Sequence, residues 1–188
     1  RRQMLAENPG NPDYSQMCEH VKAYWAMMLI RAGKLEEAMR LSQEAADIAE
    51  QLLKDAPNVA EYRRRAAHDF SILGRVLFAL SRTGDAESAM RREIEIREMS
   101  AAEGVGPRTL HRELASAHYS LGILLETTGR PAEAAPQFRR AIEILDTQSA
   151  RQPDSTSVKR DLGWMLATCP AGQFRDPARA VQLLRQAL

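Results

Sequence analysis

The sequence has few aromatic residues, only two cysteines and no long apolar run. Phe, Trp and Tyr together make up 5% of its 188 residues, so a core has to be built mainly from aliphatic side chains and alanine. Cys18 and Cys169 stand far apart without a pairing pattern, which predicts unpaired thiols in a reducing compartment. No apolar run approaches the roughly 18 residues that a membrane helix needs. These absences predict a cytoplasmic protein without a membrane partner.

An excess of one charge is also missing. The chain has 26 basic and 25 acidic side chains and a net charge of +1, so no global field attracts nucleic acid. Catalytic signatures are absent as well: the sequence contains no Gly-rich phosphate loop, no His-Glu-x-x-His, no Cys-x-x-Cys and no Gly-x-Ser-x-Gly. We therefore expect no nucleic-acid partner, no catalysis, no cofactor and no metal within these residues.

What the sequence does contain is an internal repeat of 48 residues. Small and apolar residues coincide at this offset in three successive repeats: Leu29, Leu77 and Leu125; Ala38, Ala86 and Ala134; Ile48, Ile96 and Ile144. A fourth repeat with changed spacing follows, in which Leu162-Gly163 corresponds to Leu121-Gly122. A period of this length is typical of stacked structural repeats.

Both halves of each repeat have the apolar spacing of an amphipathic helix. The turn between the halves is expected at three equivalent positions, Gly33, Ser81 and Gly129. Pro131 and Pro177 suit the first turn of a second helix. The first helix of the second repeat is expected to open after Asn58, with Glu61 completing a capping box. In the fourth repeat, residues 168–175 predict a longer loop.

The period divides the chain into four helix pairs and one leading half. The predicted ranges are 1–8 for the end of a preceding second helix, then 11–56, 59–104, 107–152 and a shortened, terminal 155–188 for repeats 1 to 4. Leu5 lies 48 residues before Leu53, which is the reason for the assignment of residues 1–8. The chain is thus expected to begin inside a repeat and to be part of a longer protein.

A glycine inside each predicted first helix needs a reason, because glycine there costs about 1 kcal/mol relative to alanine. Close crossing of the paired helix supplies one. We expect Gly122 to lie against the second helix of its own repeat, near Ala134.

These patterns resemble the tetratricopeptide repeat (TPR) family. The best copy of the family's pattern is Leu121-Gly122-x-x-Leu125, Gly129, Ala134, Phe138 and Ala141, and the resemblance covers essentially the whole chain. It departs from the family in having 48 residues per repeat where about 34 are usual. Met90 and Ser42 stand where Phe138 is found in the third repeat.

The resemblance implies an all-α fold, a right-handed superhelix of antiparallel helix pairs, and a non-catalytic role in which a partner's peptide or helix binds the concave groove. Long repeats of this kind resemble the TPR arrays of large bacterial multidomain proteins, some of which carry a Ser/Thr kinase domain. A regulatory segment of such an enzyme is therefore an alternative. Self-association through exposed repeat ends is another.

In the family, the first helices line the concave face. Transferred by alignment, the partner-binding positions are His20, Met27, Ile30, Arg31, His68, Ser71, Arg75, Phe78, Tyr119, Ile123, Glu126, Arg160 and Trp164. Phe78 and Tyr119 are the expected anchors, with Arg75 between them, because aromatic and Arg side chains dominate interface energies. The alternative is that such side chains pack on neighbouring repeats, above all Trp164 if the fourth repeat is a cap.

Four residues, two cysteines and two histidines, could carry different chemistry. Cys18 and His20 form Cys-x-His, but Cys18 aligns with apolar positions of the next two repeats. His20 and His68 share one repeat position and could face each other, yet two histidines lack the further ligands of a metal site. Cys169 could be a reactive loop thiol, although no base stands beside it in sequence. Roles in the core or in a turn are favoured for both cysteines.

Overall fold

The computed structural model describes residues 12–104, 106–107 and 109–187. Over these residues the chain forms eight α-helices, one short 3-10 helix and no β-strand. The α-helices are α1 (Pro12–Arg31), α2 (Leu35–Asp55), α3 (Ala60–Ala79), α4 (Thr83–Ala102), α5 (Leu110–Thr127), α6 (Pro131–Arg151), α7 (Thr156–Thr168) and α8 (Pro177–Gln186). The predicted all-α fold is confirmed. The helix predicted over residues 1–8 lies outside the described residues.

Consecutive helices are joined by short turns and pack as antiparallel pairs: α1 with α2, α3 with α4, α5 with α6, and α7 with α8. Within each unit the later first helix also packs on the second helix before it: α3 packs on α2, and α7 packs on α6. The contacts group into an N-terminal unit, residues 1–105, and a C-terminal unit, residues 106–188.

The turns inside the first three helix pairs share one backbone conformation. Gly33, Ser81 and Gly129 have φ angles of 74°, 60° and 77°. In each turn the next residue donates its N–H to the carbonyl five positions earlier, as Arg82 does to Leu77 at 2.9 Å. This left-handed residue with a six-to-one hydrogen bond is a common way to end a helix, and it confirms the predicted turns.

The start of α3 differs from the prediction. The helix begins at Ala60 with Val59 as its N-cap, and no side chain caps it. Glu61 instead accepts hydrogen bonds from Arg64 Nε at 2.8 Å and from Arg65 Nε at 2.7 Å. The Arg64 guanidinium first, and then Arg65, lowers the pKa of Glu61 to about 2. The predicted capping box is wrong because charged donors one turn away bind the carboxylate more strongly than a backbone amide does.

The core of the N-terminal unit is built from small side chains. One cluster joins Ala45 of α2 to Ala26 of α1 and Ile72 of α3. A second cluster joins Ala49 and Leu53 of α2 to α3 and α4. Alanines at these contacts let the helices approach closely, which suits a chain with few aromatic residues.

The core of the C-terminal unit is centred on the fully buried Phe138 of α6. A Cβ atom added to Gly122 would lie 2.6 Å from Phe138 Cε1 and 2.8 Å from Phe138 Cδ1. Gly122 therefore faces the second helix of its own repeat, as predicted. The three atoms nearest to that position all belong to the ring of Phe138, which fills the space that the missing side chain leaves.

The last helix pair is shortened, as expected. Helix α7 has 13 residues and α8 has 10, where α5 and α6 have 18 and 21. The longer loop before α8 is held by Arg175, whose Nε donates to the Cys169 carbonyl at 2.6 Å. Cys169 is 0% exposed, and burial raises the pKa of its thiol. Its role is therefore structural, in agreement with the favoured prediction.

Candidate functional site

In the C-terminal unit, the first helices α5 and α7 present an aromatic surface. Trp164 of α7 is 51% exposed. Its ring stands edge-on to the ring of Tyr119 in α5, with 5.4 Å between centroids and 61° between planes. The Tyr119 ring also meets Phe138 at 5.4 Å, so it lies between the exposed tryptophan and the core.

Tyr119 is not exposed as predicted. Its side chain is 3% accessible, and its hydroxyl lies 3.2 Å from the hydroxyl of Thr168 in α7. Burial raises the pKa of the phenol. The expectation of an exposed Tyr119 anchor is wrong because the α7 residues Trp164 and Thr168 cover the ring that alignment alone left open.

Three further predicted residues lie on the same two helices, α5 and α7, as Tyr119 and Trp164. Ile123 and Glu126 of α5 are half-buried, and Arg160 of α7 is exposed. The Oε2 atom of Glu126 is buried and has no hydrogen-bond partner among the described residues. A buried acceptor without a donor is costly, whereas the rest of the half-buried Glu126 side chain is partly accessible.

An ion pair also joins the helices α5 and α7. Arg112 of α5 donates from Nε to Oδ2 of Asp161 in α7 at 2.7 Å. Both side chains are about one-quarter exposed. The ion pair and the Tyr119–Thr168 contact hold α5 and α7 in register, so Trp164 is presented on a fixed support.

In the N-terminal unit, the predicted residues of α1 and α3 divide into two groups. His20, Arg31, His68 and Arg75 are exposed, whereas Met27, Ile30, Ser71 and Phe78 are half-buried. Met27 and Ile30 pack against the cluster around Ala26. These two side chains therefore belong partly to the core. This agrees with the alternative that such side chains pack on neighbouring helices.

A buried cluster of charged side chains lies between α1 and α3, and the sequence analysis did not predict it. Glu19 of α1 and Asp69 of α3 are 2% and 1% exposed. Arg65 donates to Glu19 Oε2 at 3.0 Å, whereas both carboxylate oxygens of Asp69 lack a hydrogen-bond partner in the described structure. Burial, and then the neighbouring Asp69, raises the pKa of Glu19 to about 8 although Arg65 lowers it. A protonated Glu19 can donate to Asp69.

One signal could have revealed this cluster. Glu19 stands at a repeat position that is Ala67 in the second repeat and Ala115 in the third. Both alanines are buried. A carboxylate at a position that is otherwise a buried alanine predicts a buried charge with a specific partner.

His20 and His68 are both exposed, and in the described part of the chain no group of three His, Cys, Asp or Glu side chains could hold a metal ion. Over the same residues, no helix combines the length and the apolar character needed to cross a membrane.

A sequence comparison with known families matches residues 26–58 to the tetratricopeptide repeat. The match covers the last turns of α1 and all of α2. The chain carries a tetratricopeptide repeat. No curated protein matches the chain in sequence.

Solved structures similar to this chain include MamA and YrrB. The MamA crystal structure has a TM-score of 0.44 and 17% identity, with 99% of this chain and 81% of that chain covered. YrrB, described as a TPR protein with an unusual peptide-binding site, has a TM-score of 0.45 and 14% identity, with 99% and 89% covered.

The match to the tetratricopeptide repeat covers residues 26–58, and further antiparallel helix pairs follow it in the described residues. The first helices of the chain's repeats carry the side chains that could contact a partner. In the C-terminal unit these include an exposed tryptophan on a rigid aromatic support, and in the N-terminal unit they include exposed Arg75 beside half-buried apolar groups.

Proposed function

We propose that the chain binds a peptide or a helix of a partner protein on the surface formed by its first helices. The observation that carries the proposal is Trp164, whose ring is half-exposed yet supported edge-on by buried Tyr119. Tryptophan is among the residues that dominate interface energies, and a fixed ring loses little conformational freedom when a partner binds.

The neighbours of Trp164 indicate what a partner segment should supply. Ile123 adds apolar area on the adjacent helix. The half-buried carboxylate of Glu126 could accept from a backbone N–H, a lysine or an arginine of the partner. An extended or helical segment with one apolar side chain and one such donor fits this surface.

The N-terminal unit offers a separate candidate surface of its own. Phe78 is half-buried and Arg75 is exposed, and the two lie three residues apart on α3. Residues at this spacing lie on the same side of a helix. We propose that they contact the partner through apolar and cationic groups.

The test starts from partner capture by the full chain in cells of its source, followed by mapping of the bound peptide. Affinity for the synthetic peptide is then measured by calorimetry. Trp164→Ala should weaken binding by about 30-fold or more, since truncating an interface anchor commonly costs about 2 kcal/mol. Glu126→Gln should weaken it less, because the amide retains one acceptor oxygen.

The matched control is Val181→Ala. Val181 is 49% exposed and lies on the second helix α8, so its truncation should leave affinity unchanged. Both variants must first melt like the parent. Undiminished affinity of Trp164→Ala, or a loss confined to Val181→Ala, would move the binding surface away from the first helices.

A further inference from the structure

A cavity in the C-terminal unit lies where the start of α5, the end of α6 and the start of α7 meet. Its volume is about 460 Å³, which is within the range of small-molecule sites. Apart from Pro153 and Val158 the lining residues are polar, and none of the described residues that line it is aromatic. The cavity therefore suits a small polar group, because it has no ring on which a nucleotide base could stack.

Two side chains of α6 bring unused hydrogen-bond donors to this cavity. Gln148 is 6% exposed, and its Oε1 accepts from Gln152 at 3.3 Å, whereas its Nε2 has no acceptor among the described residues. This nitrogen is not fully enclosed, so an acceptor that enters the cavity can reach it. Arg151, in the last turn of α6, is exposed and forms no ion pair or hydrogen bond with any described residue. An amide donor without an acceptor in a mostly buried side chain is unfavourable, which favours a ligand that accepts.

The start of α7 adds backbone donors. Ser155 is the N-cap of this helix, and its side chain accepts from no backbone N–H; its hydroxyl lies 3.2 Å from the hydroxyl of Ser157. Ser157 and Val158 line the cavity within the first turn, and neither N–H has an acceptor in the described structure. Free amides at the start of a helix bind oxyanions, and the helix dipole favours negative charge there.

The charges of the lining limit what the anion can be. Arg112 also lines the cavity, but it is paired with Asp161. Among the described lining residues this leaves Arg151 as the unpaired cation and Asp154 as the unpaired carboxylate. Donors still outnumber acceptors, because the guanidinium, the Gln148 amide and two backbone amides are all unused. Donors from two helices match a group with several acceptor oxygens, such as phosphate, better than the two oxygens of a carboxylate.

We propose that this cavity binds a phosphate monoester. Arg151 and Gln148 donate to it from α6, and the first-turn amides of Ser157 and Val158 donate from α7. Near neutral pH such a group carries close to two negative charges and offers three strong acceptor oxygens. A guanidinium forms its strongest hydrogen bonds with groups of this kind. The site uses none of the side chains around Trp164, so it does not depend on the partner surface proposed above.

The experiment is a calorimetric titration of the full chain in phosphate-free buffer near neutral pH. The probes are N-acetyl-phosphoserine methylamide and glycerol 3-phosphate, and we expect saturable binding with a dissociation constant of about 1 mM or lower. Tighter binding of the phosphoserine probe would assign the group to a phosphorylated protein segment, and tighter binding of glycerol 3-phosphate would assign it to a small molecule. N-acetyl-glutamate methylamide, which carries a carboxylate, should bind about tenfold more weakly or worse.

Variants with opposite effects on charge identify the cavity as the site. Arg151→Gln should weaken binding about tenfold, because hydrogen bonds between charged groups contribute more than neutral ones. Asp154→Asn should strengthen binding, because it removes a like charge from the lining. Gln148→Met, which has a similar size but no amide, should weaken binding at an unchanged melting temperature. Arg140→Gln is the matched control, since Arg140 is exposed on the same helix and does not line the cavity, and it should bind like the parent.

Three results would overturn the proposal. The first is no saturable binding of either phosphate probe up to about 10 mM. The second is equal binding by Arg151→Gln and Arg140→Gln, which would show non-specific attraction to an adventitious ion only. The third is binding of the glutamate probe as tight as that of the phosphate probes. Trp164→Ala should leave phosphate binding unchanged, so this proposal and the proposed function can fail separately.

Discussion

At the scale of single residues, the glycines inside the first helices show how packing overrides helix propensity. Gly74 and Gly122 occupy equivalent positions, but their neighbours differ. A Cβ at Gly122 would meet the buried ring of Phe138 at 2.6 to 3.0 Å, whereas one at Gly74 would meet only Met90 Cγ within 3.0 Å, at 2.9 Å. A methionine side chain can shift, but an aromatic ring enclosed by core residues cannot.

We therefore predict opposite results for the same substitution. Gly122→Ala should lower the free energy of unfolding by about 1–3 kcal/mol through overpacking. Gly74→Ala should change it little or raise it, because the gain in helix propensity of about 1 kcal/mol offsets a small shift of Met90. Urea denaturation of both variants measures this difference. Equal destabilisation of the two would show that the ring of Phe138 yields as easily as methionine.

The Glu19–Asp69 pair makes stability depend on pH in an unusual direction. The pKa of Glu19 is raised from 4.5 to about 8 in the folded chain. Between these values the folded chain holds a proton that the unfolded chain has released. Its contribution is fully present below pH 4.5 and is lost as the pH rises to about 8.

Glu19→Gln should remove this contribution, because the amide has no proton to lose. We predict that the parent's melting temperature falls more steeply than the variant's between pH 5.5 and pH 8, within a limit of about 1.4 kcal/mol per pH unit for one proton. Thermal melts across the range measure the two slopes. Glu44→Gln, at a carboxylate that is 54% exposed and pairs with Lys22, is the control and should keep the parent's slope.

At the scale of helices and turns, Ser81 is the exception among three equivalent turn residues. Gly33 and Gly129 adopt positive φ without a side-chain penalty, whereas Ser81 adopts φ 60° with a Cβ. We predict that Ser81→Gly stabilises the chain by up to about 1 kcal/mol, after allowing for the added freedom of glycine when unfolded. Chemical denaturation provides the measurement.

The reverse change supplies the check on that turn. Gly129→Ala places a Cβ at φ 77° with no atom within 4 Å of it, so only backbone strain acts. It should destabilise the C-terminal unit by about 1 kcal/mol. A stabilising Gly129→Ala, or a destabilising Ser81→Gly, would contradict the view that the left-handed turn limits these positions.

The helices and turns could be predicted from the sequence because each depends on contacts that recur with the period. Gly33, Ser81 and Gly129 mark turns of one geometry, and Pro131 and Pro177 begin their helices as expected. The capping box could not be predicted in the same way. Its outcome depends on competition between a backbone amide and the two arginines that follow Glu61.

The candidate site was predictable only in part for a related reason. Alignment assigns a face to each position, and it correctly left Trp164 exposed. It could not show that the rings of Trp164 and Tyr119 would meet edge-on, because that contact joins two repeats of different lengths. The exposure of Tyr24 and Trp25 was also not predicted, because the equivalent residues of α3, Ile72 and Leu73, are buried. Their exposure depends on which helices pack beside them, and the pattern of residues does not contain that information.

At the scale of the whole molecule, most packing joins helices that are close in sequence. Each helix contacts its pair mate, and α3 and α7 also contact the second helix before them. The contacts form two groups, residues 1–105 and 106–188. In proteins made of repeats, stability is approximately a sum of local terms between neighbours, so a defect should remain close to its origin.

Gly122→Ala tests this locality, because its overpacking against Phe138 lies entirely within the C-terminal unit. Measured by hydrogen exchange with mass spectrometry, amides of α5 and α6 should exchange faster than in the parent, while α1 and α2 keep the parent's rates. The reason is that exchange in each unit follows the opening of its own helices. Gly74→Ala is the matched control and should leave the protection of α5 and α6 unchanged. If α1 and α2 lose protection as much as α5 and α6 do, the chain opens as one cooperative body, and stability cannot be assigned to the two units separately.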